Sequence, residues 1–170
     1  MHNNIIKKIS VFFMSVFLIF ALVGCGNTVN TTSSNKPKPK PKPKITAQYI
    51  VDTLKAKEGN YMTDIVVTTA DNDENKLLGR PHQYTEKINW KDSRAKDSHT
   101  DCTVEIFKNS EDAITRKNYV DNIEKNMAPL VQYLDQKKNV LLRIDGRLTP
   151  QQSKEYTDIF DKLMQSSTTS

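Results

Sequence analysis

The stretch ADNDENKLLGRPHQYTEKINWKD, residues 70–92, concentrates side chains with chemistry to offer. Asp71, Asp73 and Asn75 stand at alternate positions, as do the first three ligands of an EF-hand loop. Lys76 occupies the place where that loop needs glycine and His82 the place where it needs glutamate, so no calcium hand is expected, only a solvated acidic turn. Gly79 can adopt a backbone shape closed to other residues, and Pro81 confines Arg80 to extended conformations. Such a step can hold Arg80 as a rigid fork for a carboxylate or phosphate, or can be a structural turn in which Arg80 pairs with a neighbouring acid. Tyr84 and Trp90 could form an aromatic platform; the competing expectation is that a single tryptophan in a small domain belongs to its core. Arg80, Tyr84 and Trp90 are the candidate binding residues.

Nucleophilic and metal chemistry have less to work with. His99 and Cys102 lie three apart in HTDC, the residue types of a thiol and its base, but on a polar loop entering a strand they are expected to be unrelated. Zinc needs more ligands than His82, His99 and Cys102 supply at a recognisable spacing. There is no Gly-x-Ser-x-Gly elbow, no Gly-rich phosphate loop and no His-Glu-x-x-His helix. No catalytic residue, metal ligand or cofactor is assigned.

The elements that must position these residues follow from periodicity. Ala47, Ile50, Val51 and Leu54 repeat at helical spacing, with Thr46 placed to cap and Lys55, Lys57 and Gly59 suited to the far end, giving a helix over 47–57. DIVVTT (64–69), EKINWKD (86–92) and TVEIFKN (103–109) read as strands. Ser110, Glu111 and Asp112 start a second helix, with acids where the dipole favours them. Arg116, Tyr119, Val120, Ile123 and Met127 give it a stripe, Arg116 at the edge with its stem packed, and Pro129 ends it. KNVLLRID (138–145) reads as a central strand, paired with LVQYL (130–134) across a polar turn. Thr149, Pro150 and Gln152 then start a last helix whose buried face is Tyr156, Ile159, Phe160 and Leu163. The order predicts an α+β domain over 45–170: a small, mainly antiparallel sheet with about three helices packed on one face.

The rest of the chain reads as an address. Lys7 and Lys8 precede an apolar run from Ile9 to Val23, broken by Ser10 and Ser15, as in a secretory signal. The run is short for a membrane span, which needs about 20 apolar residues. Its end, Leu22-Val23-Gly24-Cys25, resembles the lipobox of bacterial lipoproteins. That resemblance implies cleavage after Gly24 and a diacylglyceryl group on the Cys25 thiol. Two acyl chains, at about 0.8 kcal/mol per buried methylene, anchor far more firmly than one. Residues 1–24 are then the signal peptide, and 25–44 the lipid anchor and linker.

In the linker, GNTVNTTSSN is small and polar, and KPKPKPKPK (36–44) favours polyproline II, reaching on the order of 28 Å at about 3.1 Å per residue. Its five lysines could attract anionic headgroups or wall polymers, or simply keep the spacer soluble and extended. Charge follows the same division. The chain has 25 Lys plus Arg against 20 Asp plus Glu, but two of those lysines belong to the signal and five to the spacer; from Ile45 onward 18 basic residues face all 20 acids, a net of −2. The high pI belongs to leader and linker, which removes the argument for a nucleic-acid partner. With Cys25 acylated, Cys102 has no partner for an intramolecular disulfide.

Beyond the lipobox, the run Asn75, Lys76, Leu77, Leu78, Gly79, Arg80, Pro81, then Gln83 and Tyr84, after an acidic turn, resembles a family of uncharacterised lipoproteins and surface proteins of Gram-positive bacteria. The likeness continues through TVEIFKNSEDA (103–113), NVLLRID (139–145) and LTPQQSKEY (148–156). It implies an extracytoplasmic placement on the outer face of the cytoplasmic membrane and one domain, and carries no catalytic residue. Three functional classes fit: a tethered binding module for a protein or cell-envelope partner, a protective surface protein of immunity or phage-exclusion type, and an envelope enzyme. The last predicts titratable groups clustered around His82, His99 or Cys102.

Overall fold

The computed structural model describes residues 43–167; the signal, Cys25 and most of the spacer lie outside them. The chain enters α1 (Ala47–Glu58), whose cap is Thr46, its side chain accepting the Tyr49 amide. Three strands follow: β1 (Met62–Val67), β2 (Glu86–Asp92) and β3 (Cys102–Ile106). Then come α2 (Ser110–Glu124), a 3-10 turn (Ala128–Leu130), β4 (Gln132–Lys137), β5 (Val140–Asp145) and α3 (Pro150–Ser166). The strands form one sheet in the order β1-β2-β3-β5-β4, with every neighbouring pair antiparallel. This is the expected α+β class with a small antiparallel sheet and three α-helices.

Strand alternation sorts the sheet into two unlike faces. Ile88 and Trp90 of β2, Cys102, Val104 and Ile106 of β3, and Val140, Leu142 and Ile144 of β5 point one way and form the main core. They meet Ile50, Val51 and Leu54 of α1 and Tyr156, Phe160 and Leu163 of α3. The other face carries Lys87, Asn89, Thr103, Glu105, Leu141 and Arg143, and α2 lies over it. The expectation of all helices on one face is therefore corrected: α1 and α3 share a face and α2 takes the opposite one. The reason is topological. β3 and β4 run parallel with β5 between them, so the chain linking them must cross over the sheet, and α1 with α3 already fills the other side.

Local departures have local causes. β1 starts two residues earlier than the sequence pattern indicates. Its register to β2 shifts between Thr63 and Val66, where Asp64 adopts a positive φ of 50°. α2 is capped by Asn109, whose side chain accepts the Asp112 amide, not by Ser110. LVQYL divides, Pro129 falling in the 3-10 turn while β4 forms a hairpin with β5 through Lys138, at φ 54°, and Asn139. α3 begins with the reciprocal Thr149 and Gln152 capping box that the sequence marks. No described helix is long and apolar enough to cross a membrane.

Candidate functional site

The connection 68–85, between β1 and β2, is built around one buried carboxylate. Asp73 Oδ2 accepts the amides of Leu77 and Leu78, each at 2.8 Å, and Asp73 Oδ1 accepts the Tyr84 hydroxyl at 2.8 Å. Burial alone would raise the Asp73 pKa, but the Leu78 amide, the Tyr84 hydroxyl and the Leu77 amide together hold it below its ordinary value. Asp73 is thus an internal acceptor, neither a calcium ligand nor part of a solvated turn. Gly79, at φ 74°, turns the chain so that its amide donates to the Tyr84 carbonyl.

That geometry separates the three candidate binding residues. Tyr84 is fully buried against Phe107, Ala113 and Leu141 with its hydroxyl committed to Asp73. Trp90 is fully buried in the main core beside Tyr156, ring centroids 6.0 Å apart, and its Nε1 has no partner among the described residues. In this conformation neither offers surface to a partner, so the aromatic platform is corrected to two core residues. Arg80 is exposed, and its guanidinium makes no hydrogen bond or ion pair to a described residue.

The residues of the catalytic and metal readings are dispersed. His82 lies at the other end of the loop turn, its Nδ1 2.8 Å from Asp112 Oδ1 at the start of α2. Cys102 is sealed in the main core, and burial pushes its thiol up to about 12. His99 is exposed on the 93–101 loop. No group of His, Cys, Asp or Glu among the described residues is placed to hold a metal ion.

A polar site lies elsewhere, beneath α2. The helix is buried at Asp112, Ala113 and Val120, while Tyr119 stays 56 % exposed. A pocket of about 320 Å3 opens there, lined among others by Lys87, Asn89, Arg116, Glu124, Gln132 and Arg143. Next to it Glu105 is fully buried in the middle of β3, behind the lining residues Arg116 and Arg143. Arg116 Nη2 and Arg143 Nη1 both reach Glu105 Oε1 at 3.3 Å, long for charge-assisted bonds. Arg143 also donates through Nε and Nη2 to Gln132 Oε1, at 3.0 and 2.8 Å.

Several groups in this lining are unspent. Among the described residues the Lys87 ammonium has no hydrogen-bond partner and no carboxylate within 4.0 Å; it lies over the Tyr84 ring, 5.3 Å from its centroid. Burial lowers the Lys87 pKa against the pull of Glu105. Asn89 Oδ1 and Glu124 Oε1 are buried without a hydrogen-bond partner among the described residues. Burial raises the Glu124 pKa, opposed by the Gln132 amide and the Arg143 charge. Unpaired donors and acceptors at one concavity are what a polar ligand would satisfy.

The sequence reading put Arg116 on the helix stripe; the structure commits its guanidinium to Glu105, leaves Tyr119 and Met127 of that stripe exposed, and adds members that the reading missed. The signal was present: Lys87 and Asn89 alternate with the core residues Ile88 and Trp90, while Glu105 and Arg143 interrupt the apolar runs TVEIF and LLRID. Comparison with family models, curated proteins and solved structures finds no match to this chain.

Proposed function

We propose that the chain is a lipid-anchored extracytoplasmic lipoprotein whose folded domain binds a component of the cell envelope through the pocket under α2. Leu22-Val23-Gly24-Cys25 after an apolar run supports the anchor, with diacylglyceryl on Cys25 and the Lys-Pro spacer lifting the domain from the headgroups. The observation that carries the binding role is the pair of buried acceptors without a partner among the described residues, Asn89 Oδ1 and Glu124 Oε1, in a pocket also lined by the half-buried Lys87. Arg80, exposed on the 68–85 loop, is available as a separate contact to a protein partner.

Metabolic labelling with an alkyne-tagged fatty acid tests the anchor. The parent takes the label and Cys25→Ala does not; a label that persists on Cys25→Ala refutes the lipobox. Crosslinking on intact cells tests the binding role by comparing the parent with Lys87→Met, a substitution that breaks no recorded ion pair. A component lost from the variant supports the pocket. Capture of the same components by both places binding elsewhere, and an Arg80→Ala variant then reports on the loop.

A further inference from the structure

The lining of the α2 pocket separates along the strands by hydrogen-bonding character. Lys87 faces Glu105 across β2 and β3, and Asn89, two residues further along β2, faces Thr103. At the Lys87 end the groups are Lys87 and Arg116, beside the buried carboxylate of Glu105; Arg143 stands in the row of Asn89 and Thr103, reaches Glu105 through Nη1 and is otherwise committed to Gln132. Two positive charges over one negative leave that end in excess by one. At the Asn89 end the unspent groups are acceptors, Asn89 Oδ1 and Glu124 Oε1, with Asp101 on the same wall. Two residues of strand separate the ends by roughly 7 Å.

Resting on the binding role proposed above, we infer that the pocket takes a short zwitterion of dipeptide size, its carboxylate toward Lys87 and Arg116 and its ammonium toward Asn89, Asp101 and Glu124. Two extended residues span roughly 7 Å, which matches the separation of the ends. The pocket, about 320 Å3, has room for such a molecule. A simple anion would satisfy Lys87 and leave Asn89 Oδ1 and Glu124 Oε1 orphaned; a simple cation would do the reverse. The zwitterion alone supplies an acceptor to one end and donors to the other. Burial disfavours the charged form of both Lys87 and Glu124, against the pull of Glu105 on Lys87 and of the Gln132 amide and Arg143 on Glu124.

The test is calorimetric titration of the full-length chain in detergent micelles. The panel is the free amino acids and dipeptides of glycine, alanine and lysine, with inorganic phosphate and acetate beside them. The expected result is binding by one or more dipeptides, weakened about tenfold or more when the same dipeptide is N-acetylated or C-amidated, the scale of one lost charge-assisted hydrogen bond. Lys87→Met should stop distinguishing the amide from the acid, and Glu124→Gln should stop distinguishing the acetylated from the free amine. Each variant keeps the shape of the side chain it replaces and each reports on its own end of the ligand; urea unfolding of both shows that they remain folded. Failure of every dipeptide at millimolar concentration overturns the inference, as does phosphate or acetate binding as well as the dipeptides. If the panel fails while Lys87→Met still loses its crosslinked partner in cells, the ligand class falls and the binding module stands; if the crosslinks are also unchanged, both fall.

Discussion

Replacing Asp73 by alanine should unfasten the 68–85 loop, and the cost can be worked from its contacts. The residue is only 5 % exposed and its carboxylate accepts three hydrogen bonds at 2.8 Å, two from backbone amides and one from a buried phenol. Hydrogen bonds to a charged group contribute about 1.5–3 kcal/mol each, and bonds sharing one carboxylate are not additive, so Asp73→Ala should cost about 4 kcal/mol. Tyr84→Phe removes one of the three and should cost about 2 kcal/mol in the parent. In the Asp73→Ala background the same change deletes an already orphaned hydroxyl and should be close to neutral. Urea unfolding of the four proteins measures the cycle, and amide exchange at Leu77 and Leu78 shows whether the loss is local.

The same pair gives a pH signature. Because the folded pKa of Asp73 is depressed, its contribution is present above the unfolded value near 3.8 and is lost as pH falls through the lower folded value. The gap between parent and Asp73→Ala should therefore close in acid. Equal costs of Tyr84→Phe in both backgrounds, or a gap that persists at low pH, would refute the reasoning.

Two further expectations follow from packing. At Gly146 an added Cβ would stand 2.2 Å from the Val131 carbonyl oxygen, to which the Gly146 amide also donates, so Gly146→Ala should destabilise by about 2 kcal/mol or more; an unchanged thermal midpoint would contradict this. Cys102 is fully buried with its thiol raised to about 12. In a Cys25→Ala background it should resist iodoacetamide while folded and react once urea unfolds the chain, and rapid native labelling would show that the core opens there.

Much of the architecture was legible because most elements report their own environment. α3 has a capping box and an apolar face repeated through Tyr156, Phe160 and Leu163, so its start and its buried side could be read directly. β2, β3 and β5 were legible as strands for the same reason. The face on which α2 lies was not, because it depends on which strands become neighbours. The sequence places β3 before β4 and β5 without recording that β5 inserts between β3 and β4. The candidate site failed on the same point. Tyr84 and Trp90 looked available as aromatics near a loop, yet the alternation that exposes Lys87 and Asn89 to α2 sends Trp90 into the core. Asp73 was read as part of a solvated acidic turn because its true partners, the Leu77 and Leu78 amides and the Tyr84 hydroxyl, are set by the fold of the loop.

The two faces of the sheet also differ in what they contribute. The face under α1 and α3 carries nearly all the large apolar side chains, from Trp90 to Phe160, and adds a buried Asp92 that accepts the Tyr156 hydroxyl and pairs with Arg94. On the other face a small cluster, Tyr84, Phe107, Ala113 and Leu141, seats the first turns of α2, and beyond it the contact passes to Glu105, Arg116 and Arg143. A buried ion cluster is a poor source of stability, since apolar residues of similar volume serve as well or better. Bonds of 3.3–3.4 Å between these arginines and Glu105 fit that view, because groups committed only to each other would close to the shorter distances of a charge-assisted pair. What the cluster does provide is charge fixed in a concavity: Glu105 holds two guanidinium groups in place without saturating them, and Lys87 stands beside them unpaired. The polar part of the α2 interface is thus the part that borders the pocket, and the main core across the sheet makes that arrangement tolerable to the fold.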